Sequence, residues 1–502
     1  MKNIIIIGGG VAGLGAAYKI KRAQEAGADV AFTLIEKQDR VGGQLWTDRY
    51  IDDHGGEIIV DGGSDSFLTE KPAIHRVAKM LGIFDEEQSS NDDVKKTFIV
   101  KKGRLVEMPD GIMMFAPTKI LPMATTTLYS WPAKFRMALD FFMPKKKQPA
   151  GGLEDESVES LIVRRLGREC LDNLAEAIVG GVNGSDPKTM SVLATYPSLL
   201  EMEQEHGSLI KGFLAQRKKV EAIKKKYPPQ PGVRRKTFFS SFERGLGSFT
   251  DALADAAGRE NIHTGAGVKS VQFVDSEQGR TYTVTLEDGT VYSGEGLIIA
   301  TQAWQTAEFL GSALSQAADV LNTIPNSSCA TVVLAFDKED APFDKAWHGI
   351  LTPAVEHRKV TGISLVSSKW LGRCPSDKVL LRGFVGGPRD PQMLDLSDDE
   401  IMALARETYE ELLGLRKGAP IRYAKVFRFP KSMPQYTVGH LDRMKTLWSI
   451  VDPQKGLGLA GAPYKGVGVP NCLQSGEDAV TKVLGDFGIE LAEDKQEEKR
   501  LF

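Results

Sequence analysis

The sequence predicts an α/β protein built on a Rossmann-like, dinucleotide-binding fold, and three observations support this. Four isoleucines, residues 4–7, lead directly into the glycine motif Gly8–Gly13. An Ala-rich segment follows to residue 20, and a second apolar run, residues 29–35, ends at Glu36. A β-branched strand, a Gly-x-Gly-x-x-Gly turn, a helix and a second strand ending in an acid form the opening βαβ unit of that fold.

Each residue type in the glycine motif has a physical reason. Gly8 lets the chain turn tightly, Gly10 lets the backbone approach a pyrophosphate, and Gly13 lets the helix pack against the strand. The first helical residues, Val11 and Ala12, present backbone N–H groups at a helix N-terminus, where phosphates bind. We therefore expect a dinucleotide phosphate at this turn.

The residues around Glu36 narrow the choice of dinucleotide. Glu36 follows Gly13 at about the 20-residue spacing expected for the acid that binds ribose hydroxyls, and its charge disfavours the 2′-phosphate of NADP. A second glycine pair, Gly42-Gly43, follows Arg40. The pair could form an ordinary turn, but its position after the acid favours a second close approach of the backbone to a bulky ligand. An extended FAD needs this element and NAD does not, so the sequence predicts FAD.

Composition excludes several other classes. The chain has 502 residues, 42% of them hydrophobic, which predicts two or three domains. A net charge of −3 with scattered Lys and Arg does not favour nucleic acid as a partner. The four cysteines form no Cys-x-x-Cys pair and the seven histidines no metal-binding spacing, so we expect neither disulfides nor a metal, in a reducing cytoplasm.

Residues 108–144 carry the strongest indication of membrane affinity. No stretch of eighteen apolar residues occurs in the sequence, so no spanning helix is predicted. Apolar clusters at residues 112–115, 120–123 and 139–143 nevertheless precede the basic run Lys145–Lys147. Such a segment can dock peripherally on the inner face of an anionic membrane. A Met-rich pocket wall or helical core explains it equally well, and both alternatives stay open.

Composition changes also divide the chain. Breaks rich in Pro, Gly and Lys occur at residues 144–152 and 224–232, and the charged tail 493–500 is predicted to be disordered. Residues 110–226 have a mostly helical pattern, interrupted at Gly180-Gly181. Residues 280–300, 331–336 and 379–385 have the pattern of strands. We interpret this as a smaller mixed domain inserted into a nucleotide-binding one.

Two later segments complete the predicted cofactor site. A glycine turn and helix at residues 244–253 lead towards a strand at the far edge of the first sheet, where the backbone of Val268 would meet the adenine. A routine helix–strand unit is the alternative. In residues 458–472, a short strand ends in several glycines and a helix starts after Val467–Val469. This arrangement directs backbone N–H groups at a ring edge that becomes anionic on reduction.

On these motifs the whole chain, from about residue 4 to 485, resembles the porphyrinogen oxidases of the flavin amine oxidase superfamily, most closely the soluble type of Gram-positive bacteria. The matching stretches are Gly8–Gly13, Arg40–Gln44, Asp65–Leu68, Ser432–Tyr436 with Gly439-His440, and Gly466–Pro470. Ser64 stands where a proline is usual and Gln44 where a lysine is common. These two departures affect cofactor packing.

The resemblance implies three domains. The FAD-binding domain would comprise residues 1–88, 231–302 and 428–502, and would therefore be discontinuous. A mixed α+β substrate domain would comprise residues 89–109 and 303–427. Residues 110–230 would form a mainly helical domain, which binds the bilayer in membrane-bound relatives.

The resemblance also implies a reaction in heme biosynthesis: the six-electron oxidation of a porphyrinogen by oxygen, through FAD, with hydrogen peroxide as by-product. Coproporphyrinogen III is the expected substrate, and protoporphyrinogen IX the alternative. The cofactor mainly carries the chemistry, so no catalytic side chain is assigned. Lys71 would contact a substrate propionate, although a solvated lysine at a helix start is the competing interpretation. The predicted cofactor-binding residues are Gly8, Gly10, Val11, Ala12, Gly13, Glu36, Lys37, Arg40, Gly42, Gly43, Gln44, Gly63, Ser64, Asp65, Ser66, Val268, Phe429, Gly461, Val467, Gly468 and Val469.

Two other functions fit the same fold. An amine oxidase or carotenoid-type desaturase would use an aromatic cage or a covalent cysteinyl flavin, whereas Cys472 lies beyond the Gly-Val-Gly turn. A non-catalytic binder similar to GDP-dissociation inhibitors would hold no flavin, and the intact Glu36 and glycine motifs argue against it.

Overall fold

The computed structural model describes residues 1–226, 237–277 and 279–491. The strands are β1 Lys2–Ile7, β2 Val30–Ile35, β3 Thr47–Ile51, β4 Glu57–Asp61, β5 Phe67–Leu68, β6 Glu87–Ser89, β7 Lys96–Lys101, β8 Arg104–Glu107, β9 Ile112–Met113, β10 Ala116–Pro117, β11 Phe239–Phe242, β12 Ile262–His263, β13 Val268–Ser276, β14 Gly279–Leu286, β15 Val291–Gly294, β16 Gly296–Ile299, β17 Asn326–Asp337, β18 Trp347–Leu351, β19 Val360–Leu365, β20 Lys378–Gly386, β21 Tyr423–Pro434 and β22 Leu457–Leu459.

The helices are α1 Val11–Glu25, α2 Pro72–Met80, α3 Ile120–Thr125, α4 Trp131–Ala138, α5 Val158–Arg165, α6 Arg168–Cys170, α7 Glu176–Asn183, α8 Val192–Thr195, α9 Pro197–His206, α10 Leu209–Lys226, α11 Leu246–Ala257, α12 Ala303–Leu310, α13 Ser315–Asn322, α14 Val366–Lys369, α15 Asp398–Leu413, α16 His440–Val451, α17 Ala462–Lys465 and α18 Val469–Asp486. The charged tail 493–500, most of the break at 224–232 and the domain limit at 231 lie outside the described residues.

A five-stranded parallel sheet, in the order β12-β2-β1-β16-β22, forms the base of the molecule. Ile4 of β1 pairs with Phe32 of β2 on one side and with Gly296 of β16 on the other. The predicted βαβ unit is therefore confirmed. Helix α11 also leads to the sheet edge, where β12 pairs in parallel with β2. The strand predicted there around Val268 is instead the antiparallel strand β13, which follows β12.

Both faces of this sheet are covered, which explains the unbroken run of isoleucines. Ile4 and Ile6 belong to a core with residues of α1, α11 and α18, whereas Ile5 and Ile7 face β13–β15 and helices α12, α13 and α16. A parallel sheet buried on both faces has continuous apolar strands. Because α12 and α13 pack on this second core, residues 303–322 lie with the nucleotide-binding sheet. The domain limits themselves stay a prediction.

A second sheet has seven strands in the order β21-β17-β20-β19-β18-β7-β8. Its pairs are antiparallel except for β18 and β7. Helix α15 covers one face, and a cluster around Trp370 connects the other face to β4. The strands predicted at residues 331–336 and 379–385 lie within β17 and β20.

Residues 110–226 form a separate apolar core that is mostly helical, as predicted. The structure differs from the prediction at Gly180-Gly181 and at residues 112–117. Gly180 and Gly181 lie inside α7, which continues to Asn183 and ends at Gly184 in the left-handed conformation, so the predicted interruption at this pair is wrong. A helix break in this part of the chain lies instead at Gly167, between α5 and α6, where φ is +96°. Residues 112–117 form a short antiparallel hairpin. Among the described residues, no helix is long and apolar enough to cross a membrane.

Candidate functional site

The motif Gly8–Gly13 forms the turn between β1 and α1. The Gly8 N–H donates to the Ile35 carbonyl oxygen at 2.8 Å, and its φ of +107° favours glycine. A Cβ on Gly13 would lie 1.8 Å from the Gly8 carbonyl oxygen, so only glycine allows the helix to sit this close to the strand. A Cβ on Gly10 would meet nothing within 4 Å. Gly10 therefore borders open space at the start of α1.

The N-terminus of α1 faces that space without a capping side chain. Gly10 is the N-cap, in an extended conformation with φ −73° and ψ 178°, and the first turn holds no acidic residue. The first N–H groups of a helix, here from Val11 and Ala12, lack intrahelical acceptors and lie at the positive end of the helix dipole. A pyrophosphate supplies the acceptor oxygens and the negative charge that such a terminus binds. The residues present therefore fit the phosphate part of FAD.

The second glycine pair lies directly against the first motif. The Gly42 N–H donates to the Gly9 carbonyl oxygen at 2.8 Å, and a Cβ on Gly43 would be 3.1 Å from the Gly10 Cα. Both residues of the pair have positive φ, +96° and +58°. The Arg40 guanidinium donates to the carbonyl oxygens of Val41 and Gly43 at 3.1 and 2.8 Å and so fixes this loop. The structure therefore brings together the two glycine elements that the sequence separates.

Glu36 ends β2 beside the same turn and is only 8% exposed. One carboxylate oxygen accepts from the Gly9 N–H at 2.6 Å and the other from the Gln38 N–H at 2.8 Å. The Lys37 side chain instead points outward and pairs with Glu287 at 3.4 Å. Val268 opens the antiparallel strand β13, so it follows the sheet edge at β12 and is not part of the parallel sheet itself.

The predicted segment at residues 63–66 lies in a loop after β4. A Cβ on Gly63 would be 1.9 Å from the Gln44 carbonyl oxygen, which ties this loop to the second glycine element. The Ser64 hydroxyl donates to the Ser66 carbonyl oxygen at 3.0 Å, and the Ser66 hydroxyl donates to Asp65 at 2.8 Å. Three of the sequence-predicted residues therefore hold one another in a fixed loop.

Asp65 is the electrostatic centre of this loop. Lys369 approaches it at 3.0 Å, and the indole N–H of Trp370 donates to it at 3.1 Å. Burial alone would raise the pKa of Asp65, but the charges of Lys369 and Arg382 and the hydrogen bonds from Trp370 and Ser66 outweigh it. They hold the pKa well below the usual range, so Asp65 is a fixed carboxylate rather than a proton carrier.

Sequence reasoning missed the cations of this cluster. Arg382, on β20, is 3% exposed and donates to the Gly62 carbonyl oxygen at 2.8 Å and also to that of Gly63. Lys369 and Arg382 belong to no motif and lie some three hundred residues from the loop that they bind. The packing of β4 against the second sheet and Trp370 brings them there. No local pattern could have predicted them.

The structure places Gln44 and Phe429 next to this loop. The Gln44 amide donates to the Ser432 carbonyl oxygen at 2.9 Å, and the ring of Phe429 would lie 3.5 Å from a Cβ on Gly63. Phe429 itself is 9% exposed and packs in the cluster around Trp370. Its contact with the loop and its place in a core are therefore both observed.

The C-terminal glycine turn connects β22 to α18. Gly461, with φ +116°, donates its N–H to the Ser475 hydroxyl at 2.8 Å. Helix α17 follows, and Gly466, with φ +134°, ends it. Gly468 is the N-cap of α18 in an extended conformation, with no capping side chain. The turn that includes Val467 thus ends in a second uncapped helix N-terminus, as the sequence predicted.

The two uncapped helices are packed together. A Cβ on Gly476 of α18 would lie 2.0 Å from the Ala12 carbonyl oxygen, and one on Gly15 of α1 would lie 2.5 Å from the Leu473 side chain. Only small residues permit this contact. The N-terminal and C-terminal parts of the predicted cofactor site are therefore held in one rigid arrangement.

Tyr436 is a further contact of the C-terminal turn that the sequence did not single out as a site residue. Its hydroxyl donates to the Ala462 carbonyl oxygen at 2.6 Å and accepts from the Gly466 N–H at 2.7 Å. The matching stretch Ser432–Tyr436 was the available signal, but it does not indicate which backbone groups the tyrosine binds.

Lys71 is the N-cap of α2 and is exposed. It borders a surface depression with Pro470, Asn471 and Gln474 from the first turns of α18. The depression also includes Asp478. Lys71 is therefore exposed to solvent near the start of α18.

Within the described ranges, no group of three His, Cys, Asp or Glu could hold a metal ion, and all four cysteines are free thiols. Cys472 is buried, with its Sγ 3.8 Å from the Gly466 carbonyl oxygen, and burial raises the pKa of its thiol to about 12. A thiol held in its protonated form is a poor nucleophile for covalent flavin attachment.

Comparison with known proteins agrees with this geometry. The family model for flavin-containing amine oxidoreductases matches residues 11–484. The coproporphyrinogen III oxidase of Staphylococcus aureus is 31% identical to this chain, over 97% of this chain and 100% of that protein. That of Bacillus subtilis is 30% identical, over 96% and 98%. Protoporphyrinogen oxidase 2 of Arabidopsis thaliana is 25% identical, over 96% and 94%.

Solved structures show the same architecture. A crystal structure from Exiguobacterium sp. 255-15, provisionally named a protoporphyrinogen oxidase, superposes with a TM-score of 0.82 at 25% identity, over 97% of this chain and 99% of that one. Cyclohexylamine oxidase from Brevibacterium oxydans superposes with a TM-score of 0.65 at 16% identity, over 97% and 99%, and shares the fold. The chain belongs to the family of flavin-containing amine oxidoreductases and is an FAD-dependent oxidoreductase.

Proposed function

We propose that this chain oxidises coproporphyrinogen III to coproporphyrin III in heme biosynthesis, with protoporphyrinogen IX as a second substrate. The observation that carries the proposal is end-to-end similarity to enzymes named coproporphyrinogen III oxidase, at 31% and 30% identity. The described site agrees with it, because the uncapped N-terminus of α1 and the two glycine elements beside it form a cradle for a dinucleotide.

The proposed cofactor site assigns separate tasks to the described residues. The turn at Gly10 and the pair Gly42-Gly43 would bind the pyrophosphate, and Glu36 would accept hydrogen bonds from ribose hydroxyls. The loop at Asp65 and the N-terminus of α18 would border the isoalloxazine. FAD bound in this way supplies the hydride acceptor for each two-electron step.

The protein's own contribution is mainly positioning. Hydride removal from a bridging methylene, loss of pyrrole N–H protons and growing conjugation require orientation of a large flat substrate more than a strong base. Asp65 fits this view. Its carboxylate stays charged, and its contacts with Lys369 and Trp370 hold the loop in place. We propose oxygen as the acceptor of the electrons, with one hydrogen peroxide formed in each two-electron step.

The test is aerobic incubation of the purified protein with each porphyrinogen separately, with porphyrin fluorescence and peroxide measured together. We expect three peroxides for each porphyrin formed, and a higher kcat/KM for coproporphyrinogen III. Mixing under anaerobic conditions should bleach the flavin absorbance. Flavin that stays oxidised with both porphyrinogens, or that is reduced only by amines, would overturn the proposal.

We also propose that the region 120–142 contacts a membrane surface peripherally. Six of its apolar side chains are more than half exposed, and they are Ile120, Leu121, Trp131, Phe135, Leu139 and Phe142. Trp131 and Phe135 lie one turn apart on α4, and the exposed lysines Lys145 and Lys147 follow closely. Exposed aromatic and aliphatic side chains beside cations suit an anionic bilayer.

Sedimentation with vesicles tests whether this apolar surface binds a membrane. We expect binding to vesicles that contain anionic lipid, weaker binding to neutral vesicles, and loss of binding in the double variant Phe135→Ser, Phe142→Ser. Leu371→Ser removes an equally exposed side chain, 62% exposed, from a region distant in sequence and serves as the control. Equal sedimentation of the double variant and the wild type would refute membrane contact through this region.

A further inference from the structure

We propose that Tyr436 is a positioning residue that fixes the N-terminus of α18 against the flavin and thereby sets its reduction potential. The inference rests on the proposed cofactor site, which places the isoalloxazine at that helix N-terminus. It concerns the cofactor alone and not the identity of the substrate.

The hydroxyl of Tyr436 forms hydrogen bonds to both ends of the one-turn helix α17. It donates to the Ala462 carbonyl oxygen at 2.6 Å and accepts from the Gly466 N–H at 2.7 Å, so it bridges the two ends of that helix. Tyr436 is 7% exposed, and burial raises the pKa of its phenol, which keeps the donor proton in place. These two bonds hold the backbone immediately before Val467 and Gly468.

The residues of this turn do not fix its backbone conformation by themselves. Gly466 has a φ of +134°, and a Cβ on Gly468 would have only ordinary contacts, at 3.8 Å or more. Two glycines within three residues leave the backbone free to adopt many conformations. The Asn471 amide donates to the Lys465 carbonyl oxygen at 3.1 Å from the first turn of α18, and Tyr436 adds the bridge from outside the turn that joins Gly466 to Ala462.

The ring of Tyr436 is itself held in place. It stacks on His440, with ring centroids 3.9 Å apart and planes 13° apart. His440 is fully buried, and among the described residues neither of its ring nitrogens has a hydrogen-bond partner. A buried imidazole with both nitrogens unpaired contributes here as a flat packing surface, and Tyr436 is the ring that it packs against.

The backbone of residues 436–439 is hydrogen-bonded to the mostly helical part of the chain, residues 110–226. The Tyr436 carbonyl oxygen accepts from the Ser191 N–H at 2.8 Å, and the Gly439 N–H donates to Asp155 at 3.1 Å. Asp155 also accepts from the Ser191 hydroxyl at 2.8 Å. Tyr436 therefore connects the helical region, which is a separate core, to the turn before α18.

The electrostatic consequence follows from the helix dipole. The uncapped N-terminus of α18 carries partial positive charge, and this charge stabilises reduced flavin, which is anionic, more than oxidised flavin, which is neutral. Loosening the turn lets the helix start move away from the ring. The reduced form then loses more binding free energy than the oxidised form, so the midpoint potential falls.

The test compares Tyr436→Phe with Tyr464→Phe in the FAD-loaded protein, without any porphyrinogen. Tyr436→Phe keeps the ring that stacks on His440 and removes only the bridge. Tyr464→Phe removes an equally buried hydroxyl from α17 itself, one that contacts the Thr306 hydroxyl at 3.4 Å and no backbone group. In Tyr436→Phe we expect the preference for reduced over oxidised flavin to fall about tenfold, a midpoint potential lower by about 30 mV. Tyr464→Phe should leave the potential unchanged.

A second pair of variants covers failure of Tyr436→Phe to fold. His440→Ala removes the stacking surface and should lower the potential in the same direction, whereas His440→Phe keeps a flat ring and should restore it. A wild-type potential in Tyr436→Phe, or in His440→Ala if the first variant does not fold, would overturn the inference. A wild-type protein that binds FAD but does not oxidise porphyrinogen would remove the proposed substrate and leave this result intact.

Discussion

At the scale of single residues, Gly10 and Gly13 show that two glycines of one motif do different work. A side chain at Gly13 would collide with the backbone of Gly8, so that glycine is required by the fold. A side chain at Gly10 would enter open space from an extended backbone that any residue can adopt. Gly10 is therefore required only by what binds next to it.

We predict that Gly10→Val folds normally and binds no FAD, because its side chain fills the space where the backbone approaches the pyrophosphate. Flavin absorbance of the purified protein measures binding, and circular dichroism measures folding. Gly485→Val is the matched control, since a Cβ at Gly485 also meets nothing within 4 Å and the residue lies at the far end of α18. Stoichiometric flavin in Gly10→Val would contradict the assigned phosphate site.

His440 gives a prediction for pH dependence. Burial and the nearby charge of Arg443 lower the pKa of His440 from its ordinary value of 6.5 to about 4, and the charge of Asp155 opposes this only in part. The unfolded chain then binds a proton that the folded chain does not, so stability falls as the pH is lowered from 6.5 to 4. The difference amounts to roughly 3 kcal/mol, and below pH 4 this loss stops growing.

We predict that His440→Phe flattens this part of the stability profile and is stabilised relative to the wild type at pH 5. Phenylalanine keeps the stack on Tyr436 and removes the two buried nitrogens that lack partners. Denaturant unfolding at pH 7.5 and pH 5 measures the effect. An unchanged slope between the two pH values in His440→Phe would show that another group titrates.

At the same scale, the sequence predicted residues that act through the backbone and missed those that act through distant side chains. The glycines and Glu36 could be located because a turn and a strand end impose a fixed spacing on them. Lys369, Arg382 and Tyr436 could not, because they reach the site through the packing of the second sheet or through a loop between separate cores. Nothing near them in the sequence indicates their partners.

At the scale of elements, the periodicity of the sequence predicted whether a segment is a helix or a strand better than it predicted where a helix ends. The buried strands β1, β2 and β16 follow directly from their apolar runs. The pair Gly180-Gly181 was expected to end a helix, but α7 continues through it because both glycines lie against neighbouring side chains, those of Arg389 and Leu351. A tertiary contact that excludes a side chain selects glycine inside a helix, and sequence alone cannot distinguish this from a helix end.

Asp61 connects several elements and provides the third prediction. Its carboxylate accepts from Thr47 at 2.5 Å and from the N–H of Leu246, at the start of α11, at 2.9 Å. It also pairs at 3.0 Å with Arg373, which is 1% exposed. The Arg373 guanidinium donates further to the Phe242 carbonyl oxygen at 2.8 Å. One buried ion pair thus joins β4, β11, α11 and the loop before β20.

We predict that Asp61→Asn lowers the free energy of unfolding by about 3–5 kcal/mol, because it leaves the Arg373 charge buried without its partner. Urea unfolding of both proteins measures this. Asp255→Asn removes the exposed ion pair with Arg259 and should cost no more than about 1 kcal/mol. Equal losses in the two variants would mean that Asp61 does not connect these elements in the folded protein.

At the scale of the whole molecule, the site is assembled from both ends of the chain. The central sheet takes its strands from residues 2–7, 30–35, 262–263, 296–299 and 457–459. The resemblance to known oxidases predicted this discontinuity, whereas residue patterns alone indicated only an inserted domain. Periodicity reports which face of an element is buried but not which distant element covers it, and for that reason the contact between α1 and α18 could not be predicted.

The last prediction concerns Lys71 and depends on the folding of the whole chain. The depression that Lys71 borders is formed by α2 and α18, which are distant in sequence. If its ammonium meets a substrate propionate there, Lys71→Ala should lose roughly 1.5–3 kcal/mol of transition-state binding, the range for a charge-assisted hydrogen bond. Coproporphyrinogen III carries four carboxylates and protoporphyrinogen IX two. The loss in kcat/KM should therefore be larger for coproporphyrinogen III, and the ratio of the two values should fall. Lys445→Ala removes an exposed lysine from α16 as a control. Values for Lys71→Ala that match this control with both substrates would identify Lys71 as a solvated lysine at the start of α2.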